Sequence, residues 1–92
     1  MEKIEFKEPF TFEGQEYTGL ELDLKGLIGA DLLQAERDLT ASGGFAGVPE
    51  TSKEYLALVA AKAAKEPVEL IKALPANEFS RVTVRVQNFL LA

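Results

Sequence analysis

The residues that usually carry enzyme chemistry are scarce in this sequence. It contains no cysteine and no histidine, which excludes thiolate nucleophiles, zinc–sulfur sites and the commonest general base near neutral pH. The Gly26-Leu27-Ile28-Gly29 segment lacks the lysine and the hydroxyl residue that complete a phosphate-binding loop. No run of Asp and Asn has the spacing of a calcium loop. We therefore expect no enzyme activity, no cofactor and no metal site.

One pair of carboxylates does have a spacing that could bring two acids together. Glu21 and Asp23 are two positions apart, so on a strand both would point to the same face. A catalytic dyad needs an enclosed site, whereas solvated charges on a strand discourage edge-to-edge aggregation. We interpret the pair as solvent-exposed charges.

The overall charge narrows the classes of partner. Acidic residues outnumber basic ones by 15 to 10, giving a net charge of −5, so binding to nucleic acids and anionic membranes is disfavoured. No stretch approaches the roughly 20 apolar residues that span a bilayer. The polar start at Glu2, Lys3 and Glu5 does not resemble a signal peptide. We expect one domain, residues 1–92, that works in a cytoplasm.

The first part of the chain has the pattern of a β-hairpin. Apolar residues alternate with polar ones at Ile4, Phe6, Phe10 and Phe12. Glu13 and Gly14 then supply a turn, because glycine accepts a positive φ angle without penalty. Residues 16–22 alternate again and form the return strand. Pro9 should lie at a strand start or an edge. The pattern predicts a hairpin over residues 1–24, which must pack on another element.

The remaining residues, 25–92, have mainly helical patterns. The segment 28–39 places Ile28, Leu32, Ala35 and Leu39 on one face, with Leu33 beside them. Residues 41–50 are predicted to form a Gly-rich loop. Thr51 and Glu54 have the spacing of a capping box, which predicts a helix to about residue 65. Between Pro67 and Pro75, a short helix is expected.

The last segment allows two interpretations. Residues 82–86 alternate like a strand and are rich in β-branched side chains. A longer stripe has helical spacing and comprises Phe79, Val82, Val86, Phe89 and Leu90. Because the stripe is longer than the alternation, we predict a helix with Asn77 as its N-cap. The expected fold is α+β and mostly α, with an N-terminal β-hairpin packed on a bundle of three to four helices.

Several apolar residues could belong either to the core or to a binding surface. Phe45 and Val48 lie in the Gly-rich loop, where they would either enter the core or form a partner-binding lip. The last helix is apolar on more than one face. It is therefore either central and buried, or it docks a partner or another copy of the chain.

The order of these segments resembles a known protein family. The relevant strings are Glu8-Pro9-Phe10-Thr11-Phe12-Glu13-Gly14-Gln15-Glu16-Tyr17, Leu20-Glu21-Leu22, Gly29-Ala30-Asp31-Leu32, Leu74-Pro75 and Phe89-Leu90. Together they resemble the tail assembly chaperones of contractile-tailed phages and prophages, over nearly the whole chain.

This resemblance implies a function in assembly. Such a protein binds the tape measure protein, keeps it soluble and helps to recruit tail tube subunits in the cytoplasm of the bacterial host, and it is absent from the mature virion. Binding would use an apolar surface that covers amphipathic helices. The candidate contacts are Phe45, Val48, Leu70, Ile71, Phe89 and Leu90. The alternative is a structural adaptor or minor tail component that stays in the virion.

Overall fold

The computed structural model describes residues 2–44, 49 and 52–92. Its elements are, in chain order, strand β1 (Glu2–Phe12), strand β2 (Gln15–Leu22), a 3-10 helix (Leu24–Gly26), and helices α1 (Gly29–Ala41), α2 (Lys53–Ala64), α3 (Val68–Ala73) and α4 (Ala76–Leu91). The expected class is confirmed: an N-terminal antiparallel hairpin is followed by helices, and the fold is α+β and mostly α.

The hairpin turn follows directly from its two residues. Glu13 and Gly14 both have positive φ angles, 50° and 81°, which are the angles of a tight hairpin turn whose twist matches the strands. Phe12 pairs with Gln15 across this turn. The rings of Phe10 and Phe12 stack with their centroids 6.5 Å apart. The predicted hairpin and its turn are therefore confirmed.

Strand pairing is interrupted in the middle of the hairpin. Glu5 pairs with Gly19 and Phe10 pairs with Tyr17, so residues 6–9 lie opposite Thr18 alone. Pro9 falls within this bulge, where the lack of an N–H group costs no regular ladder bond. The bulge leaves backbone groups of β1 without regular strand partners, and side chains of α4 bind the Lys7 N–H and the Glu5 carbonyl oxygen.

Helix α2 is the centre of the molecule. It packs against α1, α3, α4 and β2. Its alanines allow close approach, and its buried residues are Tyr55, Leu56, Ala57, Val59, Ala60, Ala61 and Ala63. Ile4, Leu20 and Leu22 of the hairpin close the same core from one side. The central helix is thus α2, and α4 is amphipathic with one buried face.

Four local expectations are wrong in detail. The cap of α2 is Ser52, whose Oγ accepts a hydrogen bond from the Tyr55 N–H at 3.3 Å; Thr51, the expected cap, lies outside the described residues. Helix α4 begins at Ala76, directly after Pro75, so Asn77 lies inside it. Asp23 lies beyond the end of β2, and its carboxylate accepts the Gly26 N–H at 3.2 Å. It therefore caps the 3-10 helix instead of sharing a strand face with Glu21.

The fourth error concerns helix α1. Ala35 and Leu39 are buried as expected, but Ile28 and Leu33 are 65% and 57% exposed. Ile28 precedes the helix in an extended conformation, so helical spacing does not apply to it. Leu33 lies beyond the edge of the stripe that faces α2. Only part of the predicted apolar face is therefore buried.

Gly19 lies on β2 at a position where the backbone of β1 leaves no room for a side chain. A Cβ atom at this position would lie 2.4 Å from the Ile4 carbonyl oxygen, a backbone atom that can move only if the strands separate. We expect Gly19→Ala to lower the free energy of unfolding by about 1–2 kcal/mol, as overpacking does elsewhere. Urea unfolding measures the change. Gly29→Ala is the control, because a Cβ there meets nothing within 4 Å; equal stability of the two variants would contradict the proposed clash.

Candidate protein-binding surface

The candidate contacts from the sequence fall into three groups. Phe45 and Val48 lie outside the described residues. Leu70 and Ile71 are fully buried. Phe89 is partly exposed, and Leu90 is half-buried and packs against the core. The structure thus brings only Phe89 and part of Leu90 to the described surface.

The assignment of Leu70 and Ile71 to a binding surface needs correction. Both lie on α3, and both have an exposed fraction of 0% within the core that α2 organises. A six-residue helix can bury only a narrow face, and these adjacent residues form that face. They contribute to folding and offer no surface to a partner.

Phe89 lies at the end of α4 next to the hairpin. Its side chain is 38% exposed and lines a small cavity of about 100 Å³ together with Leu22 and Leu24. One side of the ring therefore contacts the core, and the other faces solvent. Among the sequence candidates, it is the best-supported surface contact.

A more extended surface runs along the solvent side of α4. Ser80, Val84, Asn88 and Leu91 are all exposed and recur at helical spacing, and we call them the α4 outer face. Val84 is 47% and Leu91 63% exposed. The face extends for about 16 Å along the helix axis. It combines two large apolar side chains with two neutral polar ones.

The α4 outer face carries no negative charge. The carboxylate of α4, Glu78, is only 3% exposed, although the chain as a whole has a net charge of −5. Depletion of charge is typical of the centre of protein interfaces. The sequence showed that the last helix is apolar on more than one face, but the candidate contacts included neither Val84 nor Leu91. The useful signal was the spacing of Val84 and Leu91, seven residues apart and off the buried stripe.

Glu78 connects α4 to the bulge of the hairpin. Its Oε2 accepts the backbone N–H of Lys7 at 2.8 Å, and its Oε1 accepts from the Arg81 guanidinium. The same Arg81 nitrogen donates to the Glu5 carbonyl oxygen at 2.8 Å. Backbone groups that the irregular β1 does not pair are therefore satisfied by two side chains of α4.

A second arginine extends this attachment. Arg85, one turn after Arg81, places its guanidinium 2.6 Å from the Glu2 carboxylate. Contacts with Lys7, Glu5 and Glu2 thus follow one another as α4 proceeds, so the helix runs antiparallel to β1. This attachment turns the charged side of α4 toward the hairpin and leaves its neutral side in solvent.

Two titratable groups in the described residues have a shifted pKa. The hydrogen bond from the Lys7 backbone lowers the pKa of Glu78, and Arg81 adds to this effect although burial opposes it. Burial raises the pKa of Tyr17, and the nearby carboxylates of Glu66 and Glu13 raise it further. Glu78 is therefore ionised and Tyr17 neutral at neutral pH, as expected of structural groups.

The described residues contain no cluster of carboxylates suited to a metal ion. Among the helices described, none combines the length and apolar character needed to cross a lipid bilayer. Comparison of the chain with protein families, curated proteins and solved structures found no match. The strongest functional feature of the described surface is thus the α4 outer face together with Phe89.

Proposed function

We propose that this protein is a phage or prophage tail assembly chaperone that binds the tape measure protein through the α4 outer face and Phe89. It keeps that partner soluble in the host cytoplasm, helps to recruit tail tube subunits, and leaves before the virion is complete. The observation that carries the proposal is an uncharged face with exposed Val84 and Leu91 on an otherwise acidic protein.

The physical basis is reversible burial of apolar surface. A helix of the partner that lies along the α4 outer face would cover Val84 and Leu91 and remove their apolar area from water. Phe89 lies on the hairpin side of α4, beside Leu22 and Leu24, and would make a separate contact. The contact is small, so each site binds weakly and can release its helix when tube subunits arrive. The net charge of −5 on the chaperone would keep the coated complex dispersed.

A double substitution on α4 tests this proposal. We expect Val84→Glu with Leu91→Glu to reduce the recovery of soluble tape measure protein on co-expression by about tenfold, because buried carboxylates without partners oppose docking. Both positions are exposed, so the variant should unfold at nearly the wild-type urea concentration. Pull-down from the soluble fraction measures the complex.

The matched control uses the other exposed apolar pair. Ile28→Glu with Leu33→Glu adds the same number of charges just before α1 and within it, and we expect it to leave co-purification unchanged. Wild-type protein that neither solubilises nor retains the tape measure protein would contradict the proposed function. Loss of binding in the Ile28 and Leu33 variant alone would place the binding surface near α1 and not on α4.

A further inference from the structure

A groove adjoins the start of the α4 outer face. It lies between the start of α2, the end of α3 and the first turns of α4, and has a volume of about 410 Å³. Its lining consists of Lys53, Lys72, Leu74, Ala76, Phe79 and Ser80, and we call it the lysine groove. Leu74 and Phe79 are partly or largely buried and give it an apolar floor.

The charge of this groove differs from that of the surface around it. Both charged residues in its lining are lysines. Three other grooves in the described part of the chain each contain carboxylates, namely Glu5 with Glu21, Glu2, and Asp38 with Glu66. A groove whose lining holds lysines and no carboxylate is therefore a local exception on an acidic protein.

One lysine already has an acidic neighbour. The Lys72 amino group lies 3.4 Å from a Glu54 carboxylate oxygen, and both side chains are nearly half exposed. Exposed ion pairs of this kind are weak and screened by salt, so the Lys72 amino group can still pair with a carboxylate of a ligand. Lys53 borders the same floor from the start of α2.

We propose that the lysine groove selects partner helices whose apolar side chains are flanked by carboxylates. A large apolar residue of the partner would enter the groove above Leu74 and Phe79, while Asp or Glu on either side would approach Lys53 and Lys72. Ser80 belongs to both the groove and the α4 outer face, so one helix can occupy the two in sequence.

This inference deepens the proposed function and depends on it for the natural partner, but designed peptides test the groove alone. The probes are two amphipathic helical peptides of about 20 residues with identical leucine faces, one flanked by glutamates and its twin by lysines. Fluorescence anisotropy measures their affinity. We expect the glutamate peptide to bind about fivefold to tenfold more tightly in about 0.1 M salt, with the preference fading as salt rises.

Reversing the charge of the two lysines tests whether they cause the preference for the glutamate peptide. Lys53→Glu with Lys72→Glu should remove the preference or invert it. Lys3→Glu with Lys65→Glu makes the same change in net charge elsewhere and should preserve it. NMR shift mapping on the wild-type protein, which needs no variant, should place the glutamate peptide at Leu74, Phe79 and Ser80.

Three results would overturn the inference: neither peptide binds, the lysine twin binds as well as the glutamate peptide, or the shifts cluster outside the groove. Binding of the tape measure protein with no peptide preference would leave the proposed function intact and refute the groove. A peptide preference without binding of the tape measure protein would refute the proposed function and retain the groove.

Discussion

Replacing Glu78 with alanine is expected to lower the free energy of unfolding by about 2–3 kcal/mol. The substitution leaves the Lys7 N–H without its acceptor and Arg81 without its ion-pair partner, at the point where the hairpin is attached to α4. Since small domains are stable by only about 5–15 kcal/mol, this loss is large. Urea unfolding measures it, and Glu69→Ala, an exposed acid on α3, is the control.

Because Glu78 stabilises the fold in its ionised form, its contribution to the free energy of unfolding should depend on pH. The folded protein lowers the pKa of Glu78, so the stabilisation from this group is complete above the ordinary pKa of a glutamate in the unfolded chain. It is lost as the pH falls through the lower folded value. In Glu78→Gln, the difference from wild type should therefore shrink between pH 7 and pH 3. A difference that is constant or grows on acidification would show that the carboxylate charge does not stabilise the fold.

Ile71→Ala is expected to lower the free energy of unfolding by about 3 kcal/mol. Ile71 is fully buried, so truncation removes apolar contacts and leaves a cavity beside α2. Leu33→Ala removes a similar volume from a side chain that is 57% exposed, and it should change stability by less than about 0.5 kcal/mol. Chemical denaturation of both variants gives the comparison.

The Ile71→Ala variant also distinguishes a role of Ile71 in the core from a contact with the partner. If Ile71 touched the partner, Ile71→Ala would weaken binding and leave unfolding nearly unchanged. We expect the opposite: weakened recovery of the complex only under conditions where the variant itself unfolds. Binding that is lost in a fully folded Ile71→Ala protein would restore this residue to the interface.

Local signals explain which parts of the fold could be predicted. The hairpin follows from alternation and from the two turn residues, Glu13 and Gly14, which need no distant partner. The last helix follows from a stripe longer than the competing alternation, and it is helical to Leu91. The start of α2 does not follow from the sequence, because Thr51 and Ser52 are both residue types that cap helices, and the structure gives Ser52 as the cap.

Long-range contacts explain what could not be predicted. The Lys7 N–H in the bulge of β1 donates to Glu78, which lies 71 positions away in the sequence, and nothing near Lys7 indicates this contact. Burial of Ile71 and exposure of Leu33 depend on which way α3 and α1 turn toward α2. The exposure of the α4 outer face depends on the contacts of Arg81 and Arg85 with β1, which turn the charged side of the helix toward the hairpin.

Hydrogen–deuterium exchange on the complex with the tape measure protein tests the central proposal most directly. If the chain binds its partner along α4, amide exchange in residues 76–91 should slow on binding, while exchange in residues 2–22 stays as it is in the free protein. A complex in which slowing is confined to the hairpin would contradict the assignment of the surface. If no complex forms and the protein is found in purified virions, it is a retained tail component and not a chaperone.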